Sequence, residues 1–440
     1  MANKRDLKIR SHTAHGRKKR SAPAPSKPAT ASVPQEPALS YAEAPASDTQ
    51  EPVREVARPR RKRRSLVKVV LTRTLVVAVV VAVGFLVWKN WENLAPDSLL
   101  IWIDEKLAGS PSGDGFPVPV AGSAVTAFRE LEGNLVLVND TALTMINSKG
   151  GEAVRRPHSY STPLLETAGK YALLAEGEGT RFRLETRAKT VLEKEAAYPI
   201  VSAGVNAKGT IALVTDASQS YSTEIVVYDR GGKELYRRSR KLQAVDIAVS
   251  PEGDRVAVIS VAASQGALKS YLEIFTFGKE TDPVFSHEEL DTLFAGVDYL
   301  ADGRLAVIGS DSLWIVDPTT SEVNREEYGG ASLLGYAVHE KGAAVALQPS
   351  GVAEGGQVLV AGGKEQEPYT VSFTGGFRHL AACSQGFLLL TSDQVQVLEM
   401  KQAGGALAVP PDGRMVGALG KRIMVLGLTT LTEYDWLAAS

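Results

Sequence analysis

Six histidines (12, 15, 158, 287, 339 and 379) and one cysteine, Cys383, are all that this 440-residue chain offers for imidazole or thiol chemistry. A single cysteine excludes an internal disulfide framework and any multi-cysteine zinc or iron–sulfur centre. His287 is followed by Glu288 and Glu289 but by no second histidine one helical turn on, so it reads as part of a solvated loop and not as a zinc helix. His158, His339 and His379 fall in separate segments and could share a site only if the fold gathered them. Cys383 reads as a small buried hydrophobe opening a strand.

Other constellations fail on spacing. Gly330, Ser332 and Gly335 miss the pattern of a nucleophile elbow. Gly177 and Gly179 lead into a strand, where a dinucleotide fingerprint would open a helix. There is no calcium-loop run of alternating carboxylates and no recurring tryptophan of the kind quinone-dependent dehydrogenases carry. The expectation is a chain with no catalytic residue, no cofactor and no metal.

What must be positioned is therefore surface, and charge shows how the chain is divided. The net charge of −1 hides 18 basic against 6 acidic residues up to Arg73 and 31 against 44 beyond it. Up to residue 65 there is no apolar period, and eight prolines fall between Pro23 and Pro59, so residues 1–65 are expected to be a disordered basic tail. Its basic clusters, 17–20 and 58–64, lack interleaved aromatics for base stacking, so no nucleic acid is expected and anionic lipid is.

The run from Thr74 to Trp88 carries no charge; extended back to Val69 it reaches 20 residues, interrupted only by Arg73. Twenty helical residues span the roughly 30 Å hydrocarbon layer. Arg64, Lys68 and Arg73 would lie at the cytoplasmic interface, Arg73 snorkelling, with Trp88 and Trp91 at the far one. No small-residue cleavage site follows, so an uncleaved signal anchor is expected over residues 66–91, N-terminus cytoplasmic, remainder extracytoplasmic, in the cell membrane. Residues 92–122 read as a juxtamembrane helix, over 93–107, and a Gly/Pro-rich connector.

From residue 123 a glycine-ended turn followed by an apolar strand recurs eight times, the glycines being 133, 169, 209, 253, 303, 342, 386 and 413. Glycine supplies positive φ in such turns, and the strands after it are continuous Val, Ile, Leu and Ala, as needed when both faces are covered. Spacings near 40 residues predict an all-β fold, a WD40- or YVTN-like β-propeller over 123–440. It has seven or eight blades, the last spacing of 27 being short. Third strands such as 224–229 and 394–400 alternate more and are expected nearer the rim. Loops joining second and third strands share one face and are long at 216–223, 261–270 and 348–357. Gln219, Tyr221, Gln265, Lys269, Ser350 and Gln357 are the candidate partner-binding residues there.

The order of these features, and above all the stretch Gly113-Asp114-Gly115-Phe116-Pro117-Val118-Pro119-Val120-Ala121-Gly122, resembles a bacterial family of unknown function. Its members are single-pass, membrane-anchored β-propeller proteins. The resemblance covers about residues 66–436 and implies fold and topology but no catalytic residue. Two functions are expected to compete: a binding or scaffold module for a cell-envelope protein, and an envelope hydrolase or lyase acting on glycan or peptide through carboxylates in the propeller channel.

Overall fold

The computed structural model describes residues 66–89, 103–104, 107, 109, 111–120 and 125–436, apart from 219, 265, 279–281 and 364–365. The expected disordered tail, with Arg64, and Trp91 lie outside the described residues, as does most of the expected juxtamembrane helix. The chain divides into two compact units, residues 1–78 and 79–440.

A helix runs Leu66–Lys89. Its described side chains are Val70, Leu71, 73–81, Gly84 and Phe85, all exposed; those of Lys68 and Trp88 are not described. Among the described residues no helix is long and apolar enough to cross a membrane.

The second unit holds an eight-bladed β-propeller, every blade a four-stranded antiparallel sheet. The first strands line the axis: Ala127–Leu131, Pro163–Ala168, Ile200–Val205, Gln243–Val249, Phe294–Tyr299, Ser332–His339, Phe377–Cys383 and Met415–Leu419. Eight apolar clusters occupy the eight seams between neighbouring blades. The second strands supply most of this core, and alternation divides them between two seams. In Asn134–Val138, Leu135 and Leu137 face blade 8 while Val136 and Val138 face blade 2. That is why these strands read as unbroken apolar runs.

Three details differ from the sequence reading. Residues 415–419 form the first strand of blade 8, not its second, which is Arg422–Leu426 after Gly420. The short final spacing came from matching unlike strands, and Gly413 has no positive φ. Gly342 lacks positive φ as well; a Cβ there would stand 2.4 Å from the Ala361 carbonyl, so glycine serves close strand approach. The third strand Thr223–Tyr228 is buried throughout, whereas Gln394–Glu399 alternates as expected.

Antiparallel order puts the connections between first and second and between third and fourth strands on one face, here called lower. The second-to-third and blade-to-blade connections share the upper face. The segment before blade 1 is strapped to the lower face. Asp104 pairs with Lys189 at 2.6 Å, Asn147 Nδ2 donates to the Pro111 carbonyl at 2.8 Å, and the Gly115 N–H donates to the Lys149 carbonyl at 3.1 Å. It then rises as Val118–Pro119, the fourth strand of blade 8, pairing with Leu431 and Thr430 and closing the ring.

Gly113 sits where this strap presses on blade 1: a Cβ would lie 2.1 Å from the Lys149 carbonyl oxygen and 2.3 Å from the Gly151 nitrogen. Both are backbone atoms that no rotamer change can move. Gly113→Ala should therefore cost about 1–3 kcal/mol and lower the thermal midpoint by a few degrees, while Ser112→Ala, on an exposed side chain, leaves it unchanged.

Candidate functional site: the axial channel and the upper face

Five of the eight first strands carry a one-residue bulge near their upper ends, at 201, 245, 295, 334 and 378. A bulge bends the strand and re-aims the next side chain. In three blades that residue is polar: Ser202, Asp246 and His379. Asp246 is a staple across three blades. Its Oδ1 accepts from Ser202 Oγ of blade 3 at 2.7 Å, and its Oδ2 from the Val297 N–H of blade 5 at 3.0 Å. His379 repeats the device between blades 7 and 8, Nδ1 accepting from the Val416 N–H at 3.3 Å. The Tyr336 hydroxyl lies over Gly296, where a Cβ would stand 2.5 Å from its oxygen.

Below this level Arg129, Glu166 and Asp298 hold equivalent positions on blades 1, 2 and 5, paired with Val136, Leu173 and Ala306. Blades 1 and 5 face each other across an eight-bladed ring. The three side chains reach solvent but are ringed by protein, as in a narrow wet bore. Enclosure raises the Glu166 carboxyl to about 7, with the Arg129 charge opposing and Asp298 and Asp246 assisting. Enclosure likewise raises Asp298 to about 7 against a hydrogen bond from the Tyr299 N–H, and shifts Asp246 upward despite its three donors. Burial lifts the Tyr336 phenol to about 12, helped by the same carboxylates, and drops His379 to about 4, helped by Arg129. At neutral pH the channel thus holds a neutral imidazole, a guanidinium, a phenol and three carboxyls in mutual electrostatic reach. Among the described residues no group of three His, Cys, Asp or Glu side chains is arranged to hold a metal ion.

The remaining chemistry-bearing residues are dispersed. His287 lies in the strand Phe285–Leu290, not a loop, edge-on to Trp314 at 5.1 Å. His339 is buried at the lower end of its strand, and His158 lies between blades 1 and 2. Cys383 ends a strand where it was expected to open one, and burial pushes its thiol to about 11. A concavity of about 620 Å³ lies at the lower rim between blades 5 and 6, where Arg304 and Arg325 are already ion-paired.

The upper face is distinguished by apolar exposure. Tyr221, Leu268, Leu290, Leu293, Val352 and Leu428 stand exposed on it, with Val201 at its inner margin; among the described residues of the ring, the lower face has only Val284 of this kind. Blade 4 projects furthest. Its second and third strands, Arg255–Ser264 and Ala267–Thr276, have ten residues each, against five to seven elsewhere, carrying the hairpin about 10 Å above its neighbours. The expected loop at 261–270 is thus a strand extension, and Lys269 lies within it, paired to Glu288 at 2.5 Å. Gln357 is in the strand Gly356–Gly362, Ser350 and Tyr221 are exposed in loops, and Gln219 and Gln265 lie outside the described residues.

Residues 119–403 match a family model described as a family of unknown function, DUF5711. No curated protein matches the chain. Among solved structures, a eukaryotic initiation factor superposes with a TM-score of 0.50 at 10% identity, over 75% of this chain and 89% of that one. Hydrazine synthase of Kuenenia stuttgartiensis gives 0.44 at 14%, over 64% and 97%; the Pan2 WD40 domain of Neurospora crassa gives 0.41 at 10%, over 62% and 88%. At these identities the likeness is one of fold alone.

The channel carboxyls fix a pH dependence. Glu166 and Asp298 keep their protons to about pH 7 when folded, against about 4 in an unfolded chain. The folded state binds more protons between those values, so stability falls as pH rises through that window. Thermal midpoints should decline from pH 5 to pH 8, and Glu166→Gln or Asp298→Asn should flatten the decline.

Proposed function

We propose that this chain, which belongs to the DUF5711 family of unknown function, is a membrane-anchored binding and scaffold module that presents the upper face of its propeller to a protein of the cell envelope. The observation that carries the reading is that, among the described residues of the ring itself, the exposed apolar side chains gather on the upper face, while the strap before blade 1, with its own exposed Ile103 and Leu107, meets the lower. A face of this kind loses water favourably on contact with a partner. The described strap, residues 104 and 111–115, contacts the lower face and leaves the upper one uncovered by it.

The anchor is read from the sequence alone: the 20 residues from Val69 to Trp88 are uncharged but for Arg73, and as a helix they would match the roughly 30 Å hydrocarbon layer. Its support is the uncharged run 74–88 with its aromatic far end, and the basic excess of residues 1–73, which keeps that side cytoplasmic beside anionic lipid. Residues 92–122 then link the span to an extracytoplasmic ring. An anchored chain resists carbonate extraction of membranes; release into the soluble fraction would contradict the anchor.

A second reading draws on the channel. Glu166 and Asp298, both raised to about 7, are poised to exchange protons at neutral pH, as a glycan- or peptide-cleaving envelope enzyme requires. Partner crosslinking in membranes separates the two. Leu268→Ser with Leu293→Ser, both exposed, should reduce capture at least tenfold with the thermal midpoint intact, and Glu166→Gln should leave capture unchanged. Undiminished capture by the double variant counts against the scaffold role. Turnover of an envelope glycan or peptide that Glu166→Gln abolishes would establish the enzyme.

A further inference from the structure

The connections that build the upper face carry charge almost entirely of one sign. Asp140, Glu178, Asp291, Glu354, Asp393 and Asp412 stand exposed on them, and none forms an ion pair among the described residues. Asp216, exposed at the upper end of Ile211–Asp216, adds a seventh carboxylate. Against them stand Lys241 and Arg414, with Arg378 at the inner margin. Other cations near this face are already neutralised: Arg181 by Glu176, Arg240 by Glu273, Lys269 by Glu288 and Arg325 by Glu289. The lower face differs. Its turns at 148–151, 186–189 and 229–233 bring Lys149, Arg187, Lys189, Arg230 and Lys233 against Asp229 alone.

The upper carboxylates are interleaved with the exposed apolar side chains. Asp291 lies between Leu290 and Leu293 in the chain, and its N–H donates to the Leu268 carbonyl at 3.0 Å, so three exposed leucines gather about one carboxylate. Asp412 reaches across to Gly427, where a Cβ would stand 2.7 Å from its Oδ2, beside the exposed Leu428. Glu354 follows Val352 by two residues, and Asp216 pairs with Thr223 at the base of the loop that holds Tyr221.

This arrangement selects its partner. Covering a leucine also strips water from the carboxylate beside it, and a desolvated charge is costly unless an opposite charge meets it. A wholly apolar partner would strand the carboxylates, and a merely basic one would leave the leucines wet. Nucleic acid, anionic lipid and acidic polysaccharide are repelled by sign. Two copies meeting upper face to upper face would set like charges against each other. Arginine suits the surface best, because its guanidinium grips a carboxylate through two hydrogen bonds and stacks on an aromatic ring such as that of Tyr221.

We propose that the upper face docks a basic protein segment in which arginine or lysine side chains sit beside apolar ones. The inference rests on the scaffold reading and names the chemistry of its partner.

The test compares the full chain with a variant neutralised on the upper face, Asp216→Asn, Asp291→Asn, Glu354→Gln and Asp412→Asn. A control is neutralised on the lower face, at the exposed Glu252, Asp282, Glu340 and Glu367. In non-ionic detergent the unaltered chain should be retained on immobilised Lys–Leu peptides about tenfold better than on Lys–Ser or Glu–Leu peptides, and salt should release it. The upper variant should lose this preference and the lower control keep it. In membranes the upper variant should reduce crosslinked capture as far as Leu268→Ser with Leu293→Ser does, and the crosslinked segment should be basic and apolar. Retention on Glu–Leu equal to Lys–Leu, a preference that survives in the upper variant, or a crosslink to an acidic segment or a second copy of this chain would each overturn the proposal. Capture lost with the leucine pair but kept by the upper variant overturns it while the scaffold reading stands; capture kept by both overturns the two together.

Discussion

No blade of this propeller can bury its own core. A four-stranded sheet has two apolar faces and no second layer, so every second strand depends on neighbours to both sides. Leu135 and Leu137 need blade 8 as much as Val136 and Val138 need blade 2. The dependence runs round all eight seams and is satisfied only if the ring closes. Closure rests on the two-residue strand Val118–Pro119, which comes from the N-terminal side of the chain and completes the C-terminal blade. So short a ladder would hold weakly by itself. It is reinforced by the strap below it, where Asn147, Lys149 and Arg422 fix residues 111–115 and the adjoining turn of blade 1 through backbone carbonyls.

The same closure creates the polar axis. Seams are packed with aliphatic side chains, but the inner edges of the first strands must meet round a bore that they cannot fill. Charged side chains such as Arg129, Glu166 and Asp298 line it there, and the bulges manage the transition. By turning Asp246 and His379 toward the next blade, they use a side chain to satisfy a backbone N–H that has no strand partner on that side. The cost appears in ionisation: carboxyls that staple or line the bore are partly desolvated and titrate well above their usual range. The staple and the raised carboxyl titration arise here from one geometric demand.

Much of this fold was legible in the sequence because the signal was local. A glycine turn and a continuous apolar run lie within ten residues of each other, and seven second strands stand where that pattern placed them. The eighth misled because Pro410, Asp412 and Gly413 make a turn before a first strand, and apolar residues follow a glycine there too. The upper face was located through loop length alone, and length cannot distinguish a loop from a strand that continues, as in Arg255–Ser264. The channel left only a faint trace: one carboxyl in each of three otherwise apolar first strands, at 166, 246 and 298. Reading them as a group requires the register between blades that are far apart in sequence.

The two faces of the ring are consequently unequal for a reason built into chain order. A closing strand that arrives from the N-terminal side must rise from the face bearing the turns between third and fourth strands, and the strap occupies that face at blades 1, 2 and 8. Elaboration of the lower turns would collide with it, whereas the upper connections have open space above them. The ten-residue hairpin of blade 4 and the exposed leucines at 268, 290 and 293 lie on the side that closure leaves free. How the ring closes therefore decides which of its two faces is free to elaborate.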